Sequence, residues 1–188
     1  MTLISTHKLM ISLCLAMAFT RVHHFGDAFS VPDASLAIFF LAGMLMAQRP
    51  AWLGLLLIEA GMLDYVAIHL LSVSDWCISP AYIFLIPTYA VMWFAGKYCA
   101  HYQTLSAKQL VITMTWAAGA TGIAFIISNM SFFWLSGRFE ELALLQYVQN
   151  IAQYAPAYMS AALLYILVGL GLLKSSHLWQ ISTVKQHS

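Results

Sequence analysis

Residues 51–72 read AWLGLLLIEAGMLDYVAIHLLS, an almost continuous apolar run. Crossing the hydrocarbon core of a bilayer takes roughly 20 mostly apolar residues in a helix. The run holds two acidic residues, Glu59 near mid-depth and Asp64 in the half nearer Ser72. Ionisable residues within a span are costly and usually face a bundle interior or a cavity. The run therefore predicts a transmembrane helix whose inner face either lines a site or fixes packing through a Ser, Tyr or His of a neighbouring helix.

The rest of the chain repeats this pattern of apolar runs separated by polar or proline-containing loops. The runs predict six transmembrane helices, at about residues 8–22, 34–48, 51–72, 80–98, 108–129 and 145–173. The runs are continuous rather than alternating, which favours helices over membrane strands. The first run resembles a signal peptide, but the later runs indicate a retained first helix. We predict an all-α integral membrane protein with one transmembrane domain over residues 1–188.

The composition excludes several classes of protein. Hydrophobic residues make up 62% of the chain and charged residues 8%, against roughly 25% charged in soluble domains. A water-soluble fold of this length would lack the charges to cover its surface. The formal net charge of +1 gives no basic surface for nucleic acid. The three cysteines are an odd number in unlike settings, which argues against a disulfide framework.

The basic residues predict the orientation in the membrane. Arg21 and Arg138 fall on one side, and the other side carries Lys8, Arg49, Lys97, Lys108, Lys174 and Lys185. Cytoplasmic loops are enriched in Lys and Arg, so both termini are expected in the cytoplasm. The loops on the outer side are mildly acidic and hold Asp27, Asp33, Asp75, Glu140 and Glu141.

A thiol, Cys77, lies in the third loop just before a helix expected to begin at Pro80. Helix N-termini favour the thiolate form, and thiolates bind soft or borderline transition metals. Cys14 and Cys99 lie toward the inner side, too far away to complete a zinc site with Cys77. Cys77 is therefore either an inert small residue or one axial ligand to a metal that a macrocycle already holds.

Histidines on the outer side allow a second reading. The pair His23 and His24 in the first loop has three interpretations: a solvated pair, metal ligands, or hydrogen-bond partners of a polar ligand. His69 lies one turn beyond Tyr65 and is expected near the same outer opening of the helical bundle. Facing histidines at matched depth are the usual ligands of a membrane haem, so haem remains an alternative.

Aromatic residues dominate the last outer loop, predicted at residues 128–141, and the start of the last span. Phe132 and Arg138 stand among small polar residues, as in an interfacial aromatic belt or in a lid over a planar ligand. Tyr147, Tyr154 and Tyr158 are spaced seven and four residues apart, which places them on one helical face.

The layout of six spans, inner termini and an outward mouth resembles the S-component of an energy-coupling factor (ECF) vitamin transporter. Asp64, followed by CISPAY at residues 77–82, resembles the BtuM family, the cobalamin-specific S-components of Gram-negative bacteria. The resemblance implies that Cys77 binds the cobalt of the corrin and that Asp64 and Tyr82 line the same site. From their positions we add four residues to the expected site: His24, Phe132, Arg138 and Tyr158.

The resemblance also implies the partners. Cobalamin is the bound substrate, no other cofactor is expected, and the protein is expected in the bacterial inner membrane. The chain has no Walker A pattern, so ATP hydrolysis would come from an ECF module, a transmembrane T-component with two ATPases. Ser12 and Ala16 in the first span are the nearest approach to the usual docking pattern of small residues four apart.

The chemistry of cobalamin agrees with these residues. Cys77 would coordinate cobalt, Asp64 would accept hydrogen bonds from corrin amides, and Tyr82 would pair or pack with the ring. A thiolate opposite the cobalt should weaken a bound cyanide, so assistance to decyanation, given an external reductant, is also expected. The alternatives are an S-component for a different vitamin, a haem-binding membrane redox protein, and a packing subunit without a ligand.

Overall fold

The regular structure of the protein is helical throughout the part of the chain that the structure describes. The computed structural model describes residues 3–22, 32–71, 75–76, 78–102 and 106–186. These residues form α1 (Leu3–Val22), α2 (Ser35–Leu45), α3 (Ala51–Leu70), a 3-10 helix (Pro80–Phe84), α4 (Leu85–Cys99), α5 (Ala107–Leu135), α6 (Leu144–Ala152) and α7 (Ala155–Gln186). The prediction of an all-α protein is confirmed for these residues.

Among the described residues, three helices are long and apolar enough to cross a membrane. They are α3, α5 and the part of α7 from Ala155 to Ser175. Large apolar side chains on the outside of α3, such as Leu55, Ile58 and Met62, are more than half exposed, which suits lipid rather than water. The membrane character predicted from composition is confirmed, whereas the number of spans and the orientation of the termini stay predictions.

The predicted boundaries of the last outer loop and of the last span are wrong. The loop expected at residues 128–141 begins later, because α5 continues to Leu135. Its polar side chains bond to the carbonyls of their own helix, with Asn129 Nδ2 donating to Phe125 O at 2.8 Å and Ser131 Oγ to Ser128 O at 2.9 Å. The span expected at residues 145–173 is divided into α6 and α7 near residues 153–154. A proline, Pro156, follows directly, where the first turn of α7 tolerates its missing N–H.

The centre of the bundle is α2, whose residues from Ser35 to Gly43 are all buried. It contacts α1, α3, α4 and α7, and most closely α4. A Cβ on Gly96 would overlap the carbonyl of Phe40, and a Cβ on Gly43 would overlap the carbonyl of Trp93. The two backbones therefore touch, as membrane helices do where small residues line the interface.

The interface between α3 and α4 is much looser than the interface between α2 and α4. Helix α3 packs mainly on α1 and makes only a few contacts with α4. At the end of the bundle where α1 ends and α2 begins, several helices enclose an open space.

Candidate functional site

A cavity of about 690 Å³ occupies that open end of the bundle. Its walls come from α1, α2, α3, the 3-10 helix, α4, α5 and α7. The lining residues are Arg21, Pro32, Asp33, Leu36, Asp64, Trp76, Ala81, Tyr82, Leu85, Thr88, Tyr89, Ser128, Asn129, Ser131, Phe132, Tyr154, Ala157, Tyr158 and Ala161. The cavity thus gathers residues far apart in sequence, at the end predicted to face outward.

The floor of the cavity is organised by Arg21, which is only 5% exposed. Its Nε and Nη2 each donate to one oxygen of Asp64, Oδ1 and Oδ2, both at 2.6 Å. Its Nη1 donates to Asp33 Oδ2 at 3.1 Å, to Ser35 Oγ at 3.0 Å and to Tyr89 OH at 2.7 Å. A buried cation survives only with good pairing geometry and further hydrogen bonds, and Arg21 has both.

Asp64 is the more deeply buried of the two carboxylates in this cluster, with its side chain 6% exposed against 20% for Asp33. Besides the two bonds from Arg21, its Oδ2 accepts a hydrogen bond from Tyr82 OH at 2.5 Å. The bond joins the 3-10 helix to α3 across the loose interface. Polar contacts rather than close packing therefore hold the two elements together there.

Local sequence explains how each of these side chains reaches the floor. Arg21 lies in the last turn of α1, where a cation interacts favourably with the helix dipole. Asp33 precedes α2, and its Oδ1 accepts from the backbone N of Ser35 at 2.9 Å and from Ser35 Oγ at 2.6 Å. Such side-chain bonds to the backbone are typical of Asp at a turn that begins a helix. Tyr82 lies in the 3-10 helix that Pro80 begins.

The upper walls are aromatic and aliphatic, with a few polar groups. Phe132 and Tyr158 lie on the neighbouring helices α5 and α7, and Tyr158 packs edge-to-face on Phe125 of α5 with the ring centroids 5.1 Å apart. Ser128, Asn129 and Ser131 add polar atoms to the α5 side. Apolar walls with a small number of polar groups are typical of small-molecule sites.

At the mouth, two loops meet at a cation–π contact. The guanidinium of Arg138 lies 3.8 Å from the centre of the Trp76 ring, within the range of a cation–π interaction. Gly137 has a φ of +69°, a conformation that glycine adopts without strain, and it turns the chain after α5 so that Arg138 reaches Trp76.

The structure brings four of the residues expected in the site to one cavity: Asp64, Tyr82, Phe132 and Tyr158. Arg138 stands at the rim, on the lining residue Trp76. Cys77 and His24, together with His23, lie outside the described residues. The expected site residues that are described therefore lie in or beside one cavity.

Sequence reasoning missed Arg21 and Asp33, which it assigned to the first outer loop. The available signal was an arginine ending one apolar span while Asp64 lay in the outer half of another. Opposite charges at similar depth in a membrane bundle tend to pair. That rule, applied between spans, points to the Arg21–Asp64 pair.

Two other ionisable residues of α3 stay away from the cavity. His69 is exposed and packs on Tyr65, with ring centroids 4.3 Å apart, so the expectation that it faces the same mouth is wrong. Glu59 is half-buried and interacts with the thiol of Cys14 on α1. Within the described ranges, no three His, Cys, Asp or Glu side chains come together as a metal site.

Among the described residues, the cavity thus has a charged floor, aromatic walls and a mouth bridged by Arg138 and Trp76. Such a cavity suits a ligand with a broad apolar face and a polar edge. No family model matches the chain, and no curated protein matches it.

Proposed function

We propose that this protein binds cobalamin in the cavity and serves as the substrate-binding S-component of an ECF-type uptake system in the bacterial inner membrane. One observation carries the proposal. Asp64 and Tyr82, which the resemblance to the BtuM family assigns to the cobalamin site, are hydrogen-bonded to each other at the floor of a cavity of about 690 Å³.

The character of the cavity supports a ligand of this kind. Its volume lies within the roughly 300–1,000 Å³ of ordinary ligand pockets, so it would hold one side of a corrin ring while the rest fills the open mouth. Phe132, Tyr158 and Leu85 offer apolar surface for the ring, and Asn129 and the charged floor offer partners for its amides.

The cobalt ligand in this proposal is Cys77. Its position in the sequence falls between Trp76 and Ala81, which both line the cavity. A thiolate on one face of the cobalt would weaken a cyanide on the opposite face. With an external one-electron donor, Co(III) would be reduced to Co(II) and the cyanide would leave as the anion.

In this proposal the chain has six spans. The cavity faces the outer side, and both termini lie in the cytoplasm. Helices α2 and α4 both begin at the cavity, and Arg49 and Lys97 lie near their far ends. Basic residues favour the cytoplasmic side, which supports an outward-facing cavity. Ser12 and Ala16 are exposed on α1, where a T-component of an ECF module would find them accessible.

The experiment is an absorption titration of the purified protein with cyanocobalamin. We expect a shifted corrin spectrum that Cys77→Ala abolishes. Cys14→Ala is the matched control, because Cys14 is a free thiol on α1 that does not line the cavity, and it should leave the shift intact.

Each other outcome is decisive. An unchanged corrin spectrum in the wild type would overturn both cobalt coordination and decyanation. Tight cobalamin binding that survives Cys77→Ala would remove the cobalt–sulfur bond from the proposal. A Soret band in protein as purified would select the haem alternative.

A further inference from the structure

The two carboxylates at the floor of the cavity are not equivalent. The side chain of Asp64 is 6% exposed and that of Asp33 is 20% exposed. Each carboxylate accepts three hydrogen bonds: Asp64 accepts one on Oδ1 and two on Oδ2, and Asp33 accepts two on Oδ1 from Ser35. Within the described residues, the third bond to Asp33 is the one that its Oδ2 accepts from Arg21 at 3.1 Å. A carboxylate oxygen accepts two hydrogen bonds readily, so Asp33 Oδ2 has acceptor capacity left, and Asp33 lines the cavity as the more exposed of the two carboxylates.

The floor also carries an uncompensated charge. Among the described residues that line the cavity, Arg21, Asp33 and Asp64 are the charged ones, and their formal charges sum to +1 − 2 = −1. A buried charge attracts hydrogen-bond donors and cations and disfavours anions. The cavity is therefore suited to a ligand that brings N–H or O–H groups to its floor.

We propose that Asp33 is a ligand-binding residue that accepts hydrogen bonds from N–H or O–H donors of the ligand, and that Arg21 is the positioning residue that holds Asp33 beside Asp64. Cobalamin, with its rim of amides, is the ligand if the proposed function holds. The preference for donor groups follows from the cavity itself.

The planar guanidinium explains why a positioning role falls to arginine. Nε and Nη2 are taken by Asp64, and Nη1 faces Asp33, Ser35 and Tyr89. A lysine would bring one compact ammonium in place of this fixed fork. It would conserve the charge of the floor while losing the bonds that fix the two carboxylates relative to each other.

The first test compares cyanocobalamin affinity in Asp33→Asn with that in the wild type. We expect affinity at least about tenfold weaker, since a hydrogen bond to a charged group is lost. Glu59→Gln is the matched control, because it removes a carboxylate outside the cavity and should leave affinity unchanged. Unchanged affinity in folded Asp33→Asn, judged by an unaltered thermal midpoint, would overturn the role of Asp33.

A second test reads the charge of the floor without the ligand. Asn129 lines the cavity, and Asn129→Cys in a background with Cys14, Cys77 and Cys99 changed to alanine gives a single thiol there. Cationic thiol reagents should label it roughly tenfold faster than anionic reagents of the same size. The ratio should fall toward one when Asp33→Asn is added and stay high with Glu59→Gln.

The two tests separate the two proposals. A wild type that does not bind cobalamin while the labelling ratio depends on Asp33 would overturn the proposed function alone. A labelling ratio independent of Asp33 would overturn the inference about Asp33. Arg21→Lys should preserve the labelling ratio and still weaken cobalamin binding at least about tenfold. Affinity unchanged in Arg21→Lys would overturn the positioning role of Arg21.

Discussion

Helix α4 has two sides that are held in opposite ways. On the α2 side, Gly96 lies against the carbonyl of Phe40, and the backbones touch with no room for a Cβ. On the α3 side the helices make few contacts, and the main link is the hydrogen bond from Tyr82, just before α4, to Asp64. Close packing closes one interface, and charged hydrogen bonds brace the other around a cavity.

The difference between the two interfaces follows from the lipid that surrounds membrane helices. Between helices in lipid there is little hydrophobic driving force, so association depends on close packing and on polar contacts. Small residues supply the first at α2 and α4. The cluster of Arg21, Asp64, Tyr82 and Asp33 supplies the second, and it forms the floor of the cavity.

The largest expected effect comes from removing Arg21, the cation of the polar cluster that links α1, α3 and α4. Arg21→Met leaves the buried Asp64 and the half-buried Asp33 without their cation, and breaking a buried ion pair in this way costs about 3–5 kcal/mol of the free energy of unfolding. The measurement is unfolding in mixed micelles by titration with sodium dodecyl sulfate. Adding Asp64→Leu to Arg21→Met should restore part of the loss, and a double variant no more stable than the single one would contradict this account.

The next effect comes from the hydrogen bond that links the 3-10 helix to α3. Tyr82→Phe removes one donor to an ionised carboxylate and should lower the free energy of unfolding by about 1.5–3 kcal/mol. The same micelle titration measures it. Tyr98→Phe is the control, because Tyr98 is 53% exposed and should lose almost nothing; equal losses in the two variants would argue against the brace.

A comparable but smaller loss is expected on the tightly packed side. Gly96→Ala places a methyl group against the carbonyl of Phe40 and should cost about 1–3 kcal/mol, as overpacking does. Gly119→Ala is the matched control, since a Cβ on Gly119 meets nothing within 4 Å and alanine favours the helix. If Gly96→Ala were as stable as Gly119→Ala in the micelle titration, the backbone contact would be wrong.

The smallest effect is expected at the mouth. Arg138→Gln removes the cation from the Trp76 ring and should cost about 0.5–1 kcal/mol, the usual strength of an exposed cation–π pair. Thermal unfolding followed by tryptophan fluorescence measures the loss. Arg49→Gln, at the opposite end of the bundle, is the charge-matched control, and an equal shift in both variants would assign the effect to net charge.

Part of the site was predictable because it depends on local sequence. Asp64 stands out as an acidic residue within an apolar span, Tyr82 was assigned to the site through the family resemblance, and both line the cavity. Arg21 and Asp33 were not placed there, since each looks like an ordinary loop residue next to a span. Their roles depend on where α1 and α2 meet α3, which is a long-range property.

Polar residues inside α5 show the same limit. Ser128 to Ser131 read as the start of a loop, yet in the helix Asn129 and Ser131 bond to carbonyls one turn back. The composition of that segment is compatible with either state, and only the continuation of the helix to Leu135 decides between them.

By itself, the sequence determined that this is a helical membrane protein, because apolar runs of that length are stable in lipid and satisfy their backbone hydrogen bonds only as helices. The tertiary structure decided which helices touch and which stand apart. It joined Arg21 to Asp64 and Asp33 because buried charges must find partners, and those partners lie 43 and 12 residues away along the chain.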